Sequence, residues 1–230
     1  SSSGNRIFQI SIPTQGNADN FGNLSVTSQS LTGCSNQTRG LFMGGYSPAF
    51  TNRIEYVTIQ SSGTGIDFGD LNNAGRRLNS SACASSTRGL QGGGATPSQY
   101  KQIDYVEINT LGNALVFQDL GGTAYQGMYC FSSATRGIRT SDENSDSTDM
   151  AFITFASTGQ SSEFGDYISS TYLSGTASNG VRGIIAGGYN PHLGSYEDKQ
   201  IGYVTIASTG SATNFGELTA TGGTTGVANH

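Results

Sequence analysis

The chain has 230 residues, enough to bury a large core, yet only 12% are charged and the net charge is −5. That balance excludes a nucleic-acid binder, which needs clustered Lys and Arg, and it excludes docking on anionic membrane surfaces. No apolar run is long enough to span a bilayer and no charged-then-apolar leader is visible, while the abundant Gly, Ser, Thr and Asn lie between β-branched and aromatic runs, as in turn-rich all-β chains rather than disordered ones.

In chain order, Asn5-Arg6-Ile7-Phe8-Gln9-Ile10-Ser11-Ile12 predicts a strand, followed by Gly16 and by Phe21-Gly22-Asn23-Leu24. A small-residue strand is then expected over 31–35, a polar turn over 36–39, an apolar strand over 40–46 ending in Gly44-Gly45, and a loop to Arg53. A β-branched strand over 54–59, a turn at Gly63 and a last strand over 67–71 complete the unit of four strands. The unit returns. Its last-strand Phe stands at Phe21, Phe68, Phe117, Phe164 and Phe215, in steps of 47, 49, 47 and 51 residues, each five residues after a Gly (Gly16, Gly63, Gly112, Gly159, Gly210). An Arg-Gly recurs at Arg39, Arg88, Arg136 and Arg182, and the Gly pair recurs as Gly93-Gly94 and Gly187-Gly188 but is lost in the third copy. A repeat of this length cannot hold a core alone and must stack on its copies.

An Arg-Gly before an apolar strand, a strand-ending Gly pair, Tyr56, Tyr105 and Tyr203 in the third strand and an aromatic in the fourth resemble the kelch repeat. The chain departs from it in having no Trp; Phe68, Phe117, Phe164 and Phe215 stand where kelch repeats carry Trp. The stretch Tyr203-Val204-Thr205-Ile206 running to Phe215-Gly216-Glu217-Leu218 resembles kelch-like repeats in structural proteins of tailed bacteriophages, marine and cyanobacterial ones in particular. The resemblance implies an all-β β-propeller of four-stranded blades, one domain over residues 1–230, with repeats near 25–71, 72–120, 121–167 and 168–218. The first expectation is five blades, the fifth split between residues 1–24 and 219–230 and closed by the N- and C-terminal strands, with six or seven blades as the alternative. Five full copies at a mean step of 48.5 need about 242 residues, so the fifth blade has three strands, borrows one from a partner, or continues in further chain.

Cys34, Cys83 and Cys130 precede the repeated Arg by five, five and six residues. This reads as repeat grammar: small buried thiols of inner strands, unpaired, in a reducing cytoplasm, with a three-thiol metal site as the sharper alternative. The four Arg residues are expected to hold backbone carbonyls or the carboxylates Asp70, Asp119 and Asp166, the alternative being an anion-binding ring. Asp142, Asn144 and Asp146 alternate like the start of a calcium loop, but Ser147 and Ile153 stand where such loops need Gly and Glu, so no cofactor is expected and calcium is the weak candidate. Tyr46, Phe50, Tyr100, Tyr189, His192 and Tyr196 lie on loops that leave the same edge of their blades and are the ligand-binding candidates. With two His and no nucleophile constellation, catalysis is not expected. The expected function is a non-enzymatic phage virion structural protein, assembled in the host cytoplasm and placed on the particle surface. It would act as a rigid display or docking module (fibre, appendage or capsid decoration), partnered with other virion proteins or with its own copies. The alternative is a lectin-like module that recognises host surface glycans through its loops.

Overall fold

The computed structural model describes residues 4–46, 48–72, 81–96, 98–99, 102–119, 129–140, 147–171, 174–190, 192 and 198–221. These residues form no helix long and apolar enough to cross a membrane. They form twenty strands. An N-terminal ribbon pairs β1 (Gly4–Gln9) with β2 (Asp19–Ser28). Sheet I contains β3 (Thr32–Ser35), β4 (Arg39–Met43), β5 (Arg53–Thr58) and β6 (Ile66–Asp70). Sheet II contains β7 (Ser81–Ala84), β8 (Arg88–Gly92), β11 (Gln102–Glu107) and β12 (Leu115–Asp119). The loop inside it carries a small hairpin, β9 (Ala95–Thr96) with β10 (Ser98–Gln99), where the sequence predicts a loop. Sheet III contains β13 (Cys130–Ser132), β14 (Arg136–Arg139), β15 (Asp149–Thr154) and β16 (Ser162–Asp166). Sheet IV contains β17 (Gly175–Ser178), β18 (Arg182–Ala186), β19 (Gln200–Thr205) and β20 (Thr213–Glu217).

Each of the four sheets is an antiparallel meander in one register. Arg39 faces Thr58, Arg88 faces Glu107, Arg136 faces Thr154 and Arg182 faces Thr205. The third and fourth strands carry a bulge at the same place in every copy. Ile54 pairs Gly69 while Glu55 pairs Asp67, so Phe68 is the extra residue. Phe117, Phe164 and Phe215 are skipped in the same way. In the ribbon, Ile7 pairs Gly22 and Phe8 pairs Asn20, which skips Phe21. The ribbon is therefore a third and fourth strand in the repeat's own register, as its sequence predicts. A bulge leaves its extra residue outside the ladder and bends the strand, which is how one Phe per copy is aimed out of its own sheet. The Gly pairs also have a backbone reason: Gly44-Gly45, Gly93-Gly94 and Gly187-Gly188 all take φ between 60° and 110°, where a Cβ is disfavoured.

The core lies between successive sheets. Between I and II it holds Leu41, Met43, Phe68, Leu71, Val106 and Ile108; between II and III, Cys83, Leu90, Phe117 and Phe155; between III and IV, Phe131, Ile138, Phe164, Tyr167 and Ile206. The first strands run side by side, β3 against β7, β7 against β13 and β13 against β17. Hydroxyls cross between them: Ser132 donates to the Ala84 carbonyl at 2.9 Å and Ser178 to the Ser132 carbonyl at 2.7 Å.

Closure by the C-terminal strand falls on residues 222–230, outside the described residues. The edge of sheet IV is left uncovered by the residues that are described. Phe21, Phe68, Phe117 and Phe164 are 6%, 3%, 4% and 2% exposed, whereas Phe215 is 62% exposed. On the ribbon, Ile10 and Ile12 are 67% and 73% exposed, although the matching Val204 and Ile206 of sheet IV are buried.

Candidate functional site

Two features repeat from sheet to sheet and define what the molecule presents: the fastening between sheets, and a polar funnel at one end.

The fastening begins with the repeated Arg. In each sheet its guanidinium lies over the third-strand ring: Arg39 over Tyr56 at 4.6 Å, Arg88 over Tyr105 at 4.9 Å, Arg136 over Phe152 at 4.4 Å and Arg182 over Tyr203 at 4.8 Å. That ring in turn meets the bulged Phe edge to face, with centroids 5.9–6.3 Å apart. The Arg then reaches the next sheet. Arg39 donates to the Ile108 carbonyl at 2.8 Å, Arg88 to the Phe155 carbonyl at 2.6 Å, and Arg136 to the Ala207 carbonyl at 2.8 Å. Carbonyls are thus the partners, as one reading of the sequence expects. The carboxylate reading is corrected. Asp166 instead accepts from Thr148, the Asp70 amide donates to Asn113, and the only carboxylate on one of these arginines among the described residues is Glu107, which pairs with Arg88. The side chain of Asp119 lies outside the described residues. Strand pairing explains this: each Asp ends a fourth strand, two strands away from the Arg. Arg182 is exposed, and its described contact is the Tyr203 ring.

Arg136→Ala is therefore expected to lower stability by about 1–2 kcal/mol, the cation–π contact and the charged hydrogen bonds being lost together. Arg182→Ala should cost less than about 1 kcal/mol. Urea titration of both variants checks this; equal costs would mean that Arg182 has an inter-sheet partner in solution.

The outer fastening uses backbone. The Phe21, Phe68 and Phe164 carbonyls accept from the amides of Gly63, Gly112 and Gly210 in the following sheet at 3.0, 2.9 and 2.7 Å. This explains both the Phe-Gly step and the Gly five residues ahead of the next Phe. A Cβ on Gly69 would lie 2.5 Å from the Gly112 carbonyl oxygen, and one on Gly165 would lie 2.5 Å from the Gly210 carbonyl carbon. Sheet II has Gln118 where the other copies have Gly, and among the described residues Gly159 makes no matching bond to the Phe117 carbonyl.

The funnel has a volume of about 470 Å³ and is walled by the turns between first and second strands: Ser35, Asn36 and Gln37, then Ser85 and Ser86, then Ser133, then Asn179. One polar side chain three residues before each Arg caps each turn. Asn36 Oδ1 accepts from the Thr38 and Arg39 amides at 2.9 and 2.8 Å. Ser85, Ser133 and Asn179 accept from the corresponding amides at 2.8–3.3 Å. These are Asx and Ser/Thr turns. The sequence predicts only a polar turn here; the signal for the caps is the recurrence of a short acceptor three residues before each Arg. The four arginines do not wall the funnel. All four are turned onto rings and three of them onto next-sheet carbonyls, and the anion-ring alternative gains no geometry from them.

The described ligand-binding candidates, Tyr46, Phe50, Tyr189 and His192, lie at the opposite end, because loops between second and third strands leave the far end of the second strand. Tyr46 and Phe50 meet edge to face at 5.3 Å, both half-buried, and the Tyr46 backbone bridges Gln29 and Phe50. They hold their loop together. In sheet IV, buried Asn190 donates to Ser169 and accepts from the His192 amide, while buried Asp198 accepts from Ser169 and from the Gln200 amide. Tyr189 is half-buried and His192 exposed. Tyr100 and Tyr196 lie outside the described residues, as do Asp142, Asn144 and Asp146 of the calcium candidate.

The cysteines depart from the sequence reading. Cys34 and Cys83 point at the Arg-Gly glycine of the next sheet: a Cβ on Gly89 would lie 2.8 Å from the Cys34 sulfur, and one on Gly137 would lie 2.9 Å from the Cys83 sulfur. In sheet III the residue in that slot is Phe131, whose ring lies against Gly183. Cys130 is one residue earlier and, because strand side chains alternate, it faces back toward Ser81 and Cys83. Cys130 packs against the core cluster that holds Cys83, and the two thiols line one cavity between sheets II and III. Burial pushes the Cys34 thiol up to about 12. Among the described residues no three Cys, His, Asp or Glu side chains are placed to share a metal ion. Comparison with models of known protein families and with curated proteins finds no match for this chain.

Proposed function

We propose that this chain is a non-enzymatic structural protein, a kelch-like β-propeller whose four-stranded blades serve as a rigid display or docking module. What supports the propeller reading is the regular packing of one meander on the next, with first strands side by side and a bulged Phe driven into each following sheet. In sheets I to III the repeated arginines and bulged Phe rings are engaged in holding one sheet to the next. That suits a scaffold. The setting on a tailed-phage particle comes from the resemblance of the repeat alone.

The observation that carries the docking role is the seam that the described residues leave uncovered. Sheet IV presents Phe215 and Gly216 in the geometry that Phe164 and Gly165 use to receive the next sheet, and the ribbon presents Ile10, Ile12 and Gly16 in the positions that fill such a junction elsewhere. The two sides are complementary by repeat and different from each other. A second copy can therefore add head to tail, which builds rings or filaments rather than isolated dimers. Light scattering across a concentration series should give masses above the 23.9 kDa chain, and Phe215→Asp should return the protein to the monomer with its melting temperature within a few degrees of wild type. A wild-type protein that stays monomeric at every concentration would refute head-to-tail docking. Quantifying the chain in purified particles tests the phage setting, and its absence from them would remove that setting.

A further inference from the structure

Cys130 stands one residue before the slot that Cys34 and Cys83 occupy, and this single offset makes a pair out of what would otherwise be a row of separate thiols. Its sulfur also accepts a hydrogen bond from the Ser81 hydroxyl at 2.9 Å. Cys83 is buried and Cys130 half-buried, and both line an apolar cavity of about 30 Å³ between sheets II and III together with Leu90, Ile138 and Ile153. A space of that size admits a molecule as small as water or hydrogen peroxide. The surroundings also differentiate the two thiols. Hydrogen bonds from Cys83 and then Ser81 hold the Cys130 thiol below its ordinary value although burial acts the other way. The bond to Cys130 and then burial push Cys83 up. Cys130 is the more exposed of the two and accepts from the Ser81 hydroxyl, which suits it as the nucleophile, and Cys83 lies beside it in the same cavity to resolve it.

We propose that Cys83 and Cys130 form an oxidisable dithiol that closes to a disulfide between β7 and β13 in the presence of peroxide. The Cys130 thiolate attacks one peroxide oxygen, the O–O bond breaks, and hydroxide leaves and takes up the thiol proton as water. The Cys83 sulfur then attacks the Cys130 sulfenic acid, the S–O bond breaks, and a second water leaves. Two thiols and one peroxide give one disulfide and two waters, the sulfurs losing the two electrons that the peroxide gains. The bond would staple the junction where Gln118 replaces the repeat's Gly, the one junction between described sheets that lacks the Phe carbonyl bond. It closes a loop of about 47 residues, long enough for a large effect on the unfolded state.

The test uses the full reduced chain exposed to a small excess of hydrogen peroxide. Two of the three thiols should disappear, the intact mass should fall by about 2 Da, and peptide mapping should join residue 83 to residue 130. The melting temperature should rise by about 10 °C and return to its starting value with dithiothreitol. Cys34→Ser should behave as wild type. Cys130→Ser should lose both the linked peptide and the rise; because Cys130 is half-buried and outside the repeat slot, this variant is chosen to keep the fold, which circular dichroism verifies. Retention of all three thiols, a link that includes Cys34, a link between two molecules, or only a gain of oxygen mass would each overturn the proposal.

Discussion

Alanine at Gly165 is expected to cost about 4 kcal/mol of folding stability, and alanine at Gly216 about 1–2 kcal/mol. Both glycines follow the bulged Phe, and both hold left-handed backbone, φ +142° and +154°, so the conformational strain of a Cβ is common to the two. What differs is the neighbour. A Cβ at Gly165 would lie 2.5 Å from the carbonyl carbon of Gly210 and 2.7 Å from the Ser211 amide, backbone that cannot turn aside, whereas one at Gly216 meets nothing within 4 Å. The difference, about 2–3 kcal/mol, therefore measures whether anything occupies the seam beyond sheet IV. Denaturant midpoints at low protein concentration, where a head-to-tail contact is dissociated, should show the difference. If Gly216→Ala costs as much as Gly165→Ala there, the ribbon of the same chain has closed onto sheet IV, and the module is a ring complete in itself.

The second expected result concerns a substitution already made between copies. The position after the third-strand Ile or Met is Glu55, Asp104, Ala151 and Gly202 in the four sheets, and the acids do structural work. Glu55 is buried and accepts from the Ser25 amide at 2.9 Å, and buried Asp104 accepts from the Asn72 amide at 3.1 Å. In sheet IV the acid has become Gly202, and Tyr167 stands where sheet I ends in Leu71. The larger ring fills the space that the missing side chain leaves: a Cβ on Gly202 would lie 2.5 Å from Tyr167 Cε2. The Tyr167 hydroxyl donates to the Ile185 carbonyl at 3.0 Å, and burial, then the charge of Asp198, raises its pKa above the ordinary phenol range. Gly202→Ala should therefore cost about 3 kcal/mol and Tyr167→Leu about 2 kcal/mol. Together they should cost less than the sum by at least about 1 kcal/mol, because the smaller Leu makes room for the new methyl. A double-mutant cycle by urea unfolding gives the coupling directly, and strict additivity would show that the two positions do not share one space.

The repeat made the strands legible because each copy corroborates the others. A single run such as residues 54–59 is ambiguous, but five alignable runs fix strand, register and even the ribbon's assignment as a third and fourth strand. The Arg-to-carbonyl contacts were foreseeable because Arg is the side chain suited to such bonds. Their ring stacking was not, since the ring belongs not to the residue that faces Arg across the ladder but to the one two positions before it. The loop candidates were the least legible. Tyr46 and Phe50 look like exposed recognition aromatics in sequence, yet each covers the other. The turn caps escaped notice because an Asn or Ser in a chain so rich in both carries little information until its distance from Arg is counted.

The cysteines mark the boundary between the two sources of information. By itself the sequence determined a stack of four-stranded units, since a unit of nearly fifty residues with one Phe and one Arg-Gly per copy can bury its apolar faces only against its own kind. It gave Cys34, Cys83 and Cys130 nearly equal spacing from Arg, and spacing alone cannot tell five residues from six in its consequences. The tertiary structure decided that. A strand alternates its side chains, so one residue of offset sends Cys130 to the opposite face, and a neighbouring sheet at packing distance turns that face into a contact with Cys83. The same holds at the other end of the array. The sequence repeats Phe-Gly at residues 164 and 215 alike, but burial belongs to what stands opposite, and only the packed structure distinguishes a Phe inside a junction from a Phe that waits for one.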